Sequence, residues 1–553
     1  MRRHIPTLRA LAFCSGAILV SFPLARAEEP VDYDMVTRIR NEGFRRSQVM
    51  DTARYLTDEI GPRITGTPAL KRANEWTLAR LQEWGLENGH LESYDFGRGW
   101  SFERCSVHLI SPRTTPLLAL PAAWTPGTEG PVRGEAMRIK MEEVEDLEKY
   151  QGKLGGKILF IDDARPYDPE GDLNRKTFQR HDESSLADLA EYAIPEGGPP
   201  QWRKEYRKRW EVRQALNAML VEEGAVAVVE ISSRDNGIVR VTGMSSLTPG
   251  DPVGVTGLGM AAEHYNWILR LLETRSADSD AAGESASDPD PVVLEIDVGA
   301  SFHEEDLLAY NTIAEIPGTA GNGEVVVAGA HLDAWHAGTG ATDNASGTAV
   351  VMEAARILTA LDVKPRRTIR IALWSGEEVG YYGSRAYVEE HYAQRPEHTD
   401  PEQLKLPRGL RETLWPLTLK PDHATVAAYF NYDNGSGKIR GIYAEENAGV
   451  VPVFEAWLKP FEDLGAVKVT MRKTGGTDHV PFDSVGLPGF QFIQDGLDYG
   501  TRTHHTNLDV YDHLEADDLK QSAVIMASFL YHAAMREEML PRTPVPEELP
   551  TGK

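Results

Sequence analysis

Histidine and acidic residues follow four apolar segments of this sequence, at the point where each segment ends. Such side chains can bind a metal ion or transfer a proton. The residues and the segments that precede them are His331, Asp333 and Asp343 after 325–330, Glu377 and Glu378 after 368–373, Asp433 after 425–430, and His504 and His505 after 488–493.

The donor set is imidazole and carboxylate without cysteine, and this combination suits zinc in a hydrolytic site. Two histidines and three carboxylates can hold two ions if one carboxylate bridges them. A further carboxylate, off the metal, must then take the proton from the attacking water. Glu377 and Glu378 could divide the roles of base and ligand, and Asp333 can accept the second ring N–H of His331.

The elements that must position these residues are strands and helices in alternation from Pro291 onward. This pattern predicts an α/β domain with a mostly parallel central sheet, in which ligands bind beyond the carboxyl ends of the strands. Taken singly, each residue has an ordinary alternative: Asp343 as a helix N-cap, Asp433 as a turn residue, and His505 as a surface histidine. The alternatives do not explain why all of them fall at strand ends.

Composition and charge exclude several classes of protein. The 553 residues include 58 Lys+Arg and 84 Asp+Glu, a formal net charge of −26. This acidity argues against nucleic acid or an anionic membrane as the main partner. With 41% hydrophobic and 26% charged residues the chain is expected to be globular and to form more than one domain.

The first segment, Met1 to Ala27, has the pattern of a secretory signal peptide. Three arginines precede an apolar core, and Ala25-Arg26-Ala27 forms a cleavage site. Cleavage would leave Cys105 as the single cysteine, which cannot close an internal disulfide. No later segment is apolar enough to span a bilayer, so we expect an exported protein, periplasmic or secreted, without membrane insertion after cleavage.

Shifts in composition divide the remaining chain. The composition changes after residue 122, and we expect a flexible tail at 543–553. The stretch from Ser276 to Asp290 has five acids and only small apolar residues, and it predicts a flexible loop.

Further motifs surround the strand ends: HLDAWHAGTGATDNASG, RRTIRIALWSGEEVGYYGS, NYDNG, GGTDHVPFDSVGLPG and HHTNLD. Over residues 296–540 they resemble the co-catalytic zinc peptidases, a family that includes secreted bacterial aminopeptidases, glutamate carboxypeptidase and carboxypeptidase Q. The likeness to carboxypeptidase Q is greatest, because it extends to the double histidine, EEMLPR and DEIGPRITGTPALKRA. The resemblance implies a three-layer zinc-exopeptidase fold with a mostly parallel central sheet. It also implies an N-terminal part of the catalytic domain at 28–124, an inserted protease-associated domain at 125–290 and the main di-zinc catalytic domain at 291–542.

The resemblance also implies a role for each residue. His331 and Asp433 would bind one zinc, Glu378 and His505 the other, and Asp343 would bridge the two. Glu377 would be the general base, with Asp333 orienting His331. Candidate substrate-binding residues are His504, which either polarises the substrate carbonyl or is a loop residue, Arg502, which could bind a carboxylate, and Asp478, which would shape the pocket rim.

The function predicted from these observations is an exported di-zinc exopeptidase acting on short peptides or dipeptides, attacking from either the amino or the carboxyl end. Two alternatives stay open. The same fold could act on a non-peptide amide or acyl bond or as a one-zinc cyclase, or the chain could be a non-catalytic binding protein. The carboxypeptidase Q resemblance also implies a homodimer.

Overall fold

The computed structural model describes residues 29–166, 177–192, 201–282 and 290–547. The predicted signal peptide and the last residues of the predicted tail lie outside these ranges. In the described ranges, no helix combines the length and the apolar character needed to cross a membrane.

The strands and helices are numbered in chain order. The strands are β1 (Glu87–Asp95), β2 (Gly99–Ser111), β3 (Thr115–Leu117), β4 (Ala119–Pro121), β5 (Val132–Arg138), β6 (Lys157–Phe160), β7 (Ala227–Ile231), β8 (Thr256–Met260), β9 (Val293–His303), β10 (Leu308–Ile316), β11 (Val325–His331), β12 (Thr368–Trp374), β13 (Ala393–Gln394), β14 (Thr418–Leu419), β15 (Val426–Asn431), β16 (Ile439–Tyr443), β17 (Lys468–Thr470) and β18 (Gly489–Gln494). The α-helices are α1 (Tyr33–Arg45), α2 (Val49–Arg54), α3 (Pro68–Glu83), α4 (Glu183–Asp188), α5 (Gln201–Glu223), α6 (Ala262–Ala282), α7 (Ser346–Ala360), α8 (Tyr382–His391), α9 (Pro401–Lys405), α10 (Val451–Leu458), α11 (His479–Asp483) and α12 (Ala516–Met535).

The first sheet carries the predicted site. Its eight strands lie in the order β1-β10-β12-β11-β15-β18-β16-β17. The four central strands, β12, β11, β15 and β18, are parallel to one another. Their carboxyl ends therefore lie at one edge of the sheet, which is the arrangement expected from the alternation of strands and helices. The mixed α/β fold with a parallel centre is confirmed.

Helices cover both faces of this sheet because β11 alternates its buried side chains between two cores. Val326, Ala328 and Ala330 belong to the apolar cluster that contains residues of α7 and α12. Val325 and Val327 belong to the opposite cluster, with residues of α8 and α11. Strands buried on both faces read as continuous apolar runs, and VVVAGA is such a run. The first sheet is thus covered by helices on both faces.

A second eight-stranded sheet occupies the middle of the chain, in the order β3-β2-β9-β5-β6-β7-β8-β4. It is built from residues 99–303, so its strands begin before and end after the interval 125–290 that the resemblance assigns to the insert. Strands β2 and β9, whose residues lie outside that interval, pair along 99–111 and 293–303. Their alternating pattern is that of ordinary strands, and composition alone gives no boundary there.

Two segments differ from the secondary structure expected of them. Residues 276–282 continue α6, although their acids and small residues predict a loop, and residues 283–289 of the same predicted loop lie outside the described ranges. Alanine, with the highest helix propensity, supplies three of these seven residues and extends a helix already begun at Ala262. The polar, proline-containing segment 393–422, which the sequence predicts to be a loop or lid near the site, contains the short β13–β14 pair and α9.

Candidate metal centre and active site

The four central strands deliver the predicted residues to one buried cluster. His331 is the last residue of β11, and Glu377 and Glu378 lie just beyond the end of β12. Asp433 lies two residues past β15, and the loop after β18 leads to His505. The sheet order therefore brings together side chains that are up to 174 positions apart in the sequence.

Asp343 lies between two histidines. Its Oδ1 is 3.3 Å from His331 Nε2, and its Oδ2 is 3.1 Å from His505 Nε2. The Asp343 backbone has φ −131° and ψ 84°, so it departs from the helical geometry of the turn that precedes α7. One carboxylate oxygen directed at each histidine is the arrangement that a bridging ligand requires.

Asp509 holds this turn in place. Its carboxylate accepts the backbone N–H of Thr342 at 2.6 Å, the Thr342 hydroxyl at 2.8 Å and the Asp343 N–H at 3.3 Å. Burial raises the pKa of Asp509 to about 7, with the nearby negative charge of Asp343 adding to this shift. Asp509 therefore positions Asp343 through the backbone.

The first candidate metal position is formed by His331, Asp343 and Asp433, all buried and close enough to share one ion. Asp433 Oδ1 lies 3.5 Å from His331 Nε2. The other ring nitrogen of His331 lies 3.0 Å from the backbone carbonyl of Asp333, whereas the nearest carboxylate oxygen of Asp333 is 3.6 Å away. Asp333 thus orients His331 mainly through its main chain, rather than through the carboxylate as expected.

The carboxylate of Asp333 instead supports the turn that carries the two glutamates. Its Oδ2 accepts the hydroxyl of Thr65 at 2.8 Å. Its two oxygens also accept the backbone N–H groups of Glu377, at 3.3 Å, and Glu378, at 3.4 Å. Thr65 in turn accepts the backbone N–H of Gly376 at 3.1 Å. The loop that contains Thr65 therefore supports the turn that carries Glu377 and Glu378.

The second candidate metal position surrounds His505. Its Nε2 is 2.9 Å from Glu378 Oε2 and 3.1 Å from Asp343 Oδ2. His504 also belongs to this group, because Asp343, His504 and His505 can direct one ligand atom each to a common point. The structure therefore adds metal binding to the two roles considered for His504. Burial lowers the pKa of His504 to about 4, which favours the neutral form that a ligand must have.

The residues present fit a cation. His331 Nε2, Asp343 Oδ2 and Glu378 Oε1 are buried and have no well-oriented hydrogen bond partner in the described part of the chain. Buried polar atoms normally have partners, and ligand atoms without one need an explanation. Burial disfavours ionised Asp343, yet His331 and His505 outweigh this and hold its pKa well below the usual range. Nitrogen and oxygen donors of this kind suit zinc.

Glu377 differs from the candidate ligands. Its Oε2 is 4.0 Å from His331 Nε2, whereas Glu378 is 2.9 Å from its histidine. Burial raises the pKa of Glu377 well above its ordinary value, and the negative charges of Asp433 and Asp478 act in the same direction. A carboxylate with raised proton affinity beside the metal residues is suited to general base chemistry.

The remaining predicted residues lie around this cluster. Arg502 is exposed, and its backbone N–H donates to the Asp498 carbonyl at 2.7 Å. Asp478 is fully buried, where it accepts the Ser384 hydroxyl at 2.5 Å, and burial raises its pKa to about 8. Asp478 is thus buried rather than exposed at a rim, and its contact with substrate stays a prediction.

Two residues near the cluster escaped the sequence analysis. Tyr499 lies in the loop that follows β18, with its ring centroid 4.8 Å from that of His504. Burial raises its pKa well above the ordinary value, and the negative charges of Asp343 and Asp433 add to the shift. The guanidinium of Arg240, in the connection between β7 and β8, contacts His505. Tyr499 could have been found by considering every polar residue of that loop, whereas no local signal marks Arg240.

A tight recess lies beside the second metal position. Trp335, Gly338, Thr506 and Asp509 line it together with the candidate ligands Asp343, Glu378 and His505. Trp335 packs edge-on against Trp124, which lies just past β4 in the second sheet. Both parts of the chain therefore shape the surroundings of the site.

Known proteins resemble this chain in sequence. Residues 311–530 match the model of "Peptidase family M28". The chain is 24% identical over 489 residues to carboxypeptidase Q from Mus musculus, covering 88% of this chain and 86% of the relative. The resemblance inferred from the motifs is thereby confirmed.

Solved structures share the fold. A peptidase M28 precursor from Shewanella amazonensis matches with a TM-score of 0.62 and 25% identity, covering 93% of this chain and 99% of the other. The zinc aminopeptidase BSAP from Bacillus subtilis matches with a TM-score of 0.53 and 20% identity, over 89% and 95% of the two chains. The latter likeness concerns the fold alone.

Proposed function

Because the chain is a metallo-exopeptidase whose residues 311–530 match peptidase family M28, we propose that it is an exported enzyme that uses two zinc ions to hydrolyse short peptides or dipeptides. The observation that carries this proposal is the placement of Asp343, whose two oxygens lie 3.3 Å from His331 and 3.1 Å from His505. Export rests on the signal-peptide pattern of Met1 to Ala27.

Each zinc would have its own histidine and acid. His331 and Asp433 would hold one ion, Glu378 and His505 the other, and Asp343 would bind both, with His504 available as an additional ligand of the second. When bound, zinc acts as a Lewis acid toward the substrate carbonyl and lowers the pKa of a coordinated water. The protein itself holds these metal-binding atoms in a buried cluster.

Glu377 would be the general base. Its backbone N–H is held by Asp333, and its carboxylate lies 4.0 Å from His331 Nε2. Burial raises its proton affinity, so it can take a proton from the attacking water and then return that proton to the leaving amine. This assignment leaves Glu378 free to act as a ligand.

Replacing Glu377 with glutamine tests the proposed base. Glu377→Gln removes the proton acceptor but keeps the size of the side chain, so we expect kcat to fall by about 10²- to 10⁴-fold. Bound zinc and the thermal unfolding midpoint should stay at their wild-type values. Hydrolysis at the wild-type rate would exclude Glu377 as the base.

Metal content and substrate preference test the rest. We expect two zinc ions per chain by elemental analysis, and activity that is lost with chelator and restored with zinc. One tightly bound zinc together with cyclisation of amino-terminal glutamine peptides would favour a cyclase instead. Zinc binding without turnover on any peptide or amide would favour a binding protein.

A further inference from the structure

The connection between β7 and β8 of the second sheet places one arginine beside the proposed metal site. The segment 239–241, between β7 and β8, runs antiparallel to the loop that carries His505, with Arg240 opposite Thr506. The Val239 N–H donates to Asn507 Oδ1 at 2.8 Å, and the Asn507 N–H donates to the Val239 carbonyl at 3.1 Å. These backbone contacts fix Arg240 beside His505.

The guanidinium of Arg240 has unused donors. Its Nη2 lies 3.1 Å from His505 Nδ1, and its Nε is buried without a hydrogen bond partner in the described ranges. It forms no ion pair with a carboxylate of the described residues, whereas Arg213 pairs with Glu230 and Arg165 with Asp235 in the same part of the chain. Buried guanidinium N–H groups normally donate to acceptors. The Arg240 guanidinium can therefore bind an acceptor that the described part of the chain does not supply.

If His505 binds a metal ion, its Nδ1 can no longer accept a hydrogen bond from Arg240. A neutral histidine that binds metal through Nε2 carries its proton on Nδ1. The Nδ1–H and the Nη2–H of Arg240 would then both be donors and could not bond to each other. The guanidinium would need an anionic acceptor, and its planar pair of N–H groups matches a carboxylate.

The position agrees with the carboxyl end of a peptide. One imidazole ring separates the guanidinium from His505 Nε2, the atom that faces Asp343 and Glu378. The α-carboxylate of the residue after the scissile bond lies about one residue, roughly 4 Å, from the carbonyl that is attacked. Arg502, the arginine expected to bind this group, is instead exposed.

We propose that Arg240 binds the free α-carboxylate of the substrate, so that the enzyme removes the last residue of a peptide or splits a dipeptide. This inference rests on the peptidase activity proposed above and adds its direction. Arg240 is then the specificity-determining residue for a free carboxyl terminus, and the second sheet completes the substrate site.

The test compares an N-acetylated dipeptide with the same compound carrying a carboxyl-terminal amide. The wild-type enzyme should prefer the free carboxylate. Arg240→Gln should raise KM for that substrate by about 10- to 100-fold with little change in kcat, because it removes a charge-assisted bidentate contact. Arg240→Lys should show a smaller loss, and the control Arg133→Gln, at an exposed position of β5, should resemble the wild type.

Binding provides a second measurement. Calorimetry of N-acetylated dipeptide binding to zinc-loaded Glu377→Gln enzyme should show weaker affinity when Arg240→Gln is added, with the zinc content unchanged. Equal losses on both substrates, or loss of zinc, would reduce Arg240 to a residue that positions His505. The same KM effect in Arg502→Gln but not in Arg240→Gln would overturn the assignment.

The outcomes separate the two proposals. A wild-type enzyme that cleaves only peptides with a free amino terminus and a blocked carboxyl terminus would overturn the role of Arg240 and leave the peptidase intact. A wild-type enzyme that cleaves no peptide, although it binds zinc, would overturn both.

Discussion

The carboxylate of Asp333 accepts the backbone N–H of Glu377 at 3.3 Å. Asp333 lies two residues past His331, and its backbone carbonyl also orients the His331 ring at 3.0 Å. One residue therefore holds both a candidate ligand and the candidate base, through different atoms. This arrangement connects the end of β11 to the end of β12, so the distance between His331 and Glu377 depends on Asp333.

Replacing Asp333 with asparagine should lower activity without removing the base. The amide of Asp333→Asn offers one acceptor oxygen and turns an N–H₂ group toward a turn that supplies only donors. We expect kcat to fall by about 10- to 100-fold, as for other supports of metal ligands. Steady-state kinetics and zinc analysis would measure it. Wild-type kcat with normal zinc content would contradict the proposed support of Glu377.

Asp343 should control zinc binding as a whole. Asp343→Ala removes a carboxylate from both metal positions, so we expect fewer than one zinc per chain after dialysis and no measurable peptide hydrolysis. Zinc levels that restore chelator-treated wild-type enzyme should fail to restore the variant. Asp362→Ala, which changes an exposed acid, is the control. Full occupancy of both positions in Asp343→Ala would contradict the bridging role.

Arg63 should be important for stability. It is fully buried, and its guanidinium donates to five backbone carbonyls that connect the N-terminal loop with the turn before α7. The carbonyls belong to Leu56, Gly61, Leu332, Thr339 and Gly340.

Arg63→Lys leaves several of these carbonyls without a donor, and each unsatisfied buried group costs about 1–3 kcal/mol. We therefore expect the free energy of unfolding to fall by at least about 3 kcal/mol. Urea unfolding of the zinc-loaded enzyme would measure this change. Arg54→Lys, at an exposed position of α2, should alter stability little, and equal effects of the two substitutions would contradict the structural role of Arg63.

Local pattern accounts for what the sequence predicts, and long-range contact accounts for what it misses. The apolar run 325–330 predicts β11, and the rule for parallel sheets then places His331 beside Glu377 and Asp433. Thr65 contacts Asp333 across 268 positions, and Arg240 contacts His505 across 265. No periodic sequence pattern predicts either contact, because each contact depends on how a loop packs and not on a strand or helix.

Glu445, away from the metal site, should make stability depend on pH. It is buried at 3% exposure, and both of its carboxylate oxygens accept the Thr474 N–H, at 3.2 and 3.3 Å. Burial raises its pKa from 4.5 to about 8. The charged and titratable groups that face it are Lys473, Asp483, Glu446 and His479.

The direction of this pH dependence follows from the number of protons bound by the folded and the unfolded states. Between pH 4.5 and about 8 the folded state keeps a proton on Glu445 that the unfolded state has released, so stability falls as pH rises through this window. The slope for this group is at most about 1.4 kcal/mol per pH unit. Glu445→Gln keeps an acceptor for Thr474 and cannot ionise, so it should unfold at higher denaturant than the wild type at pH 8 and at similar denaturant at pH 4.5. Parallel pH profiles of the two proteins would show that Glu445 titrates normally.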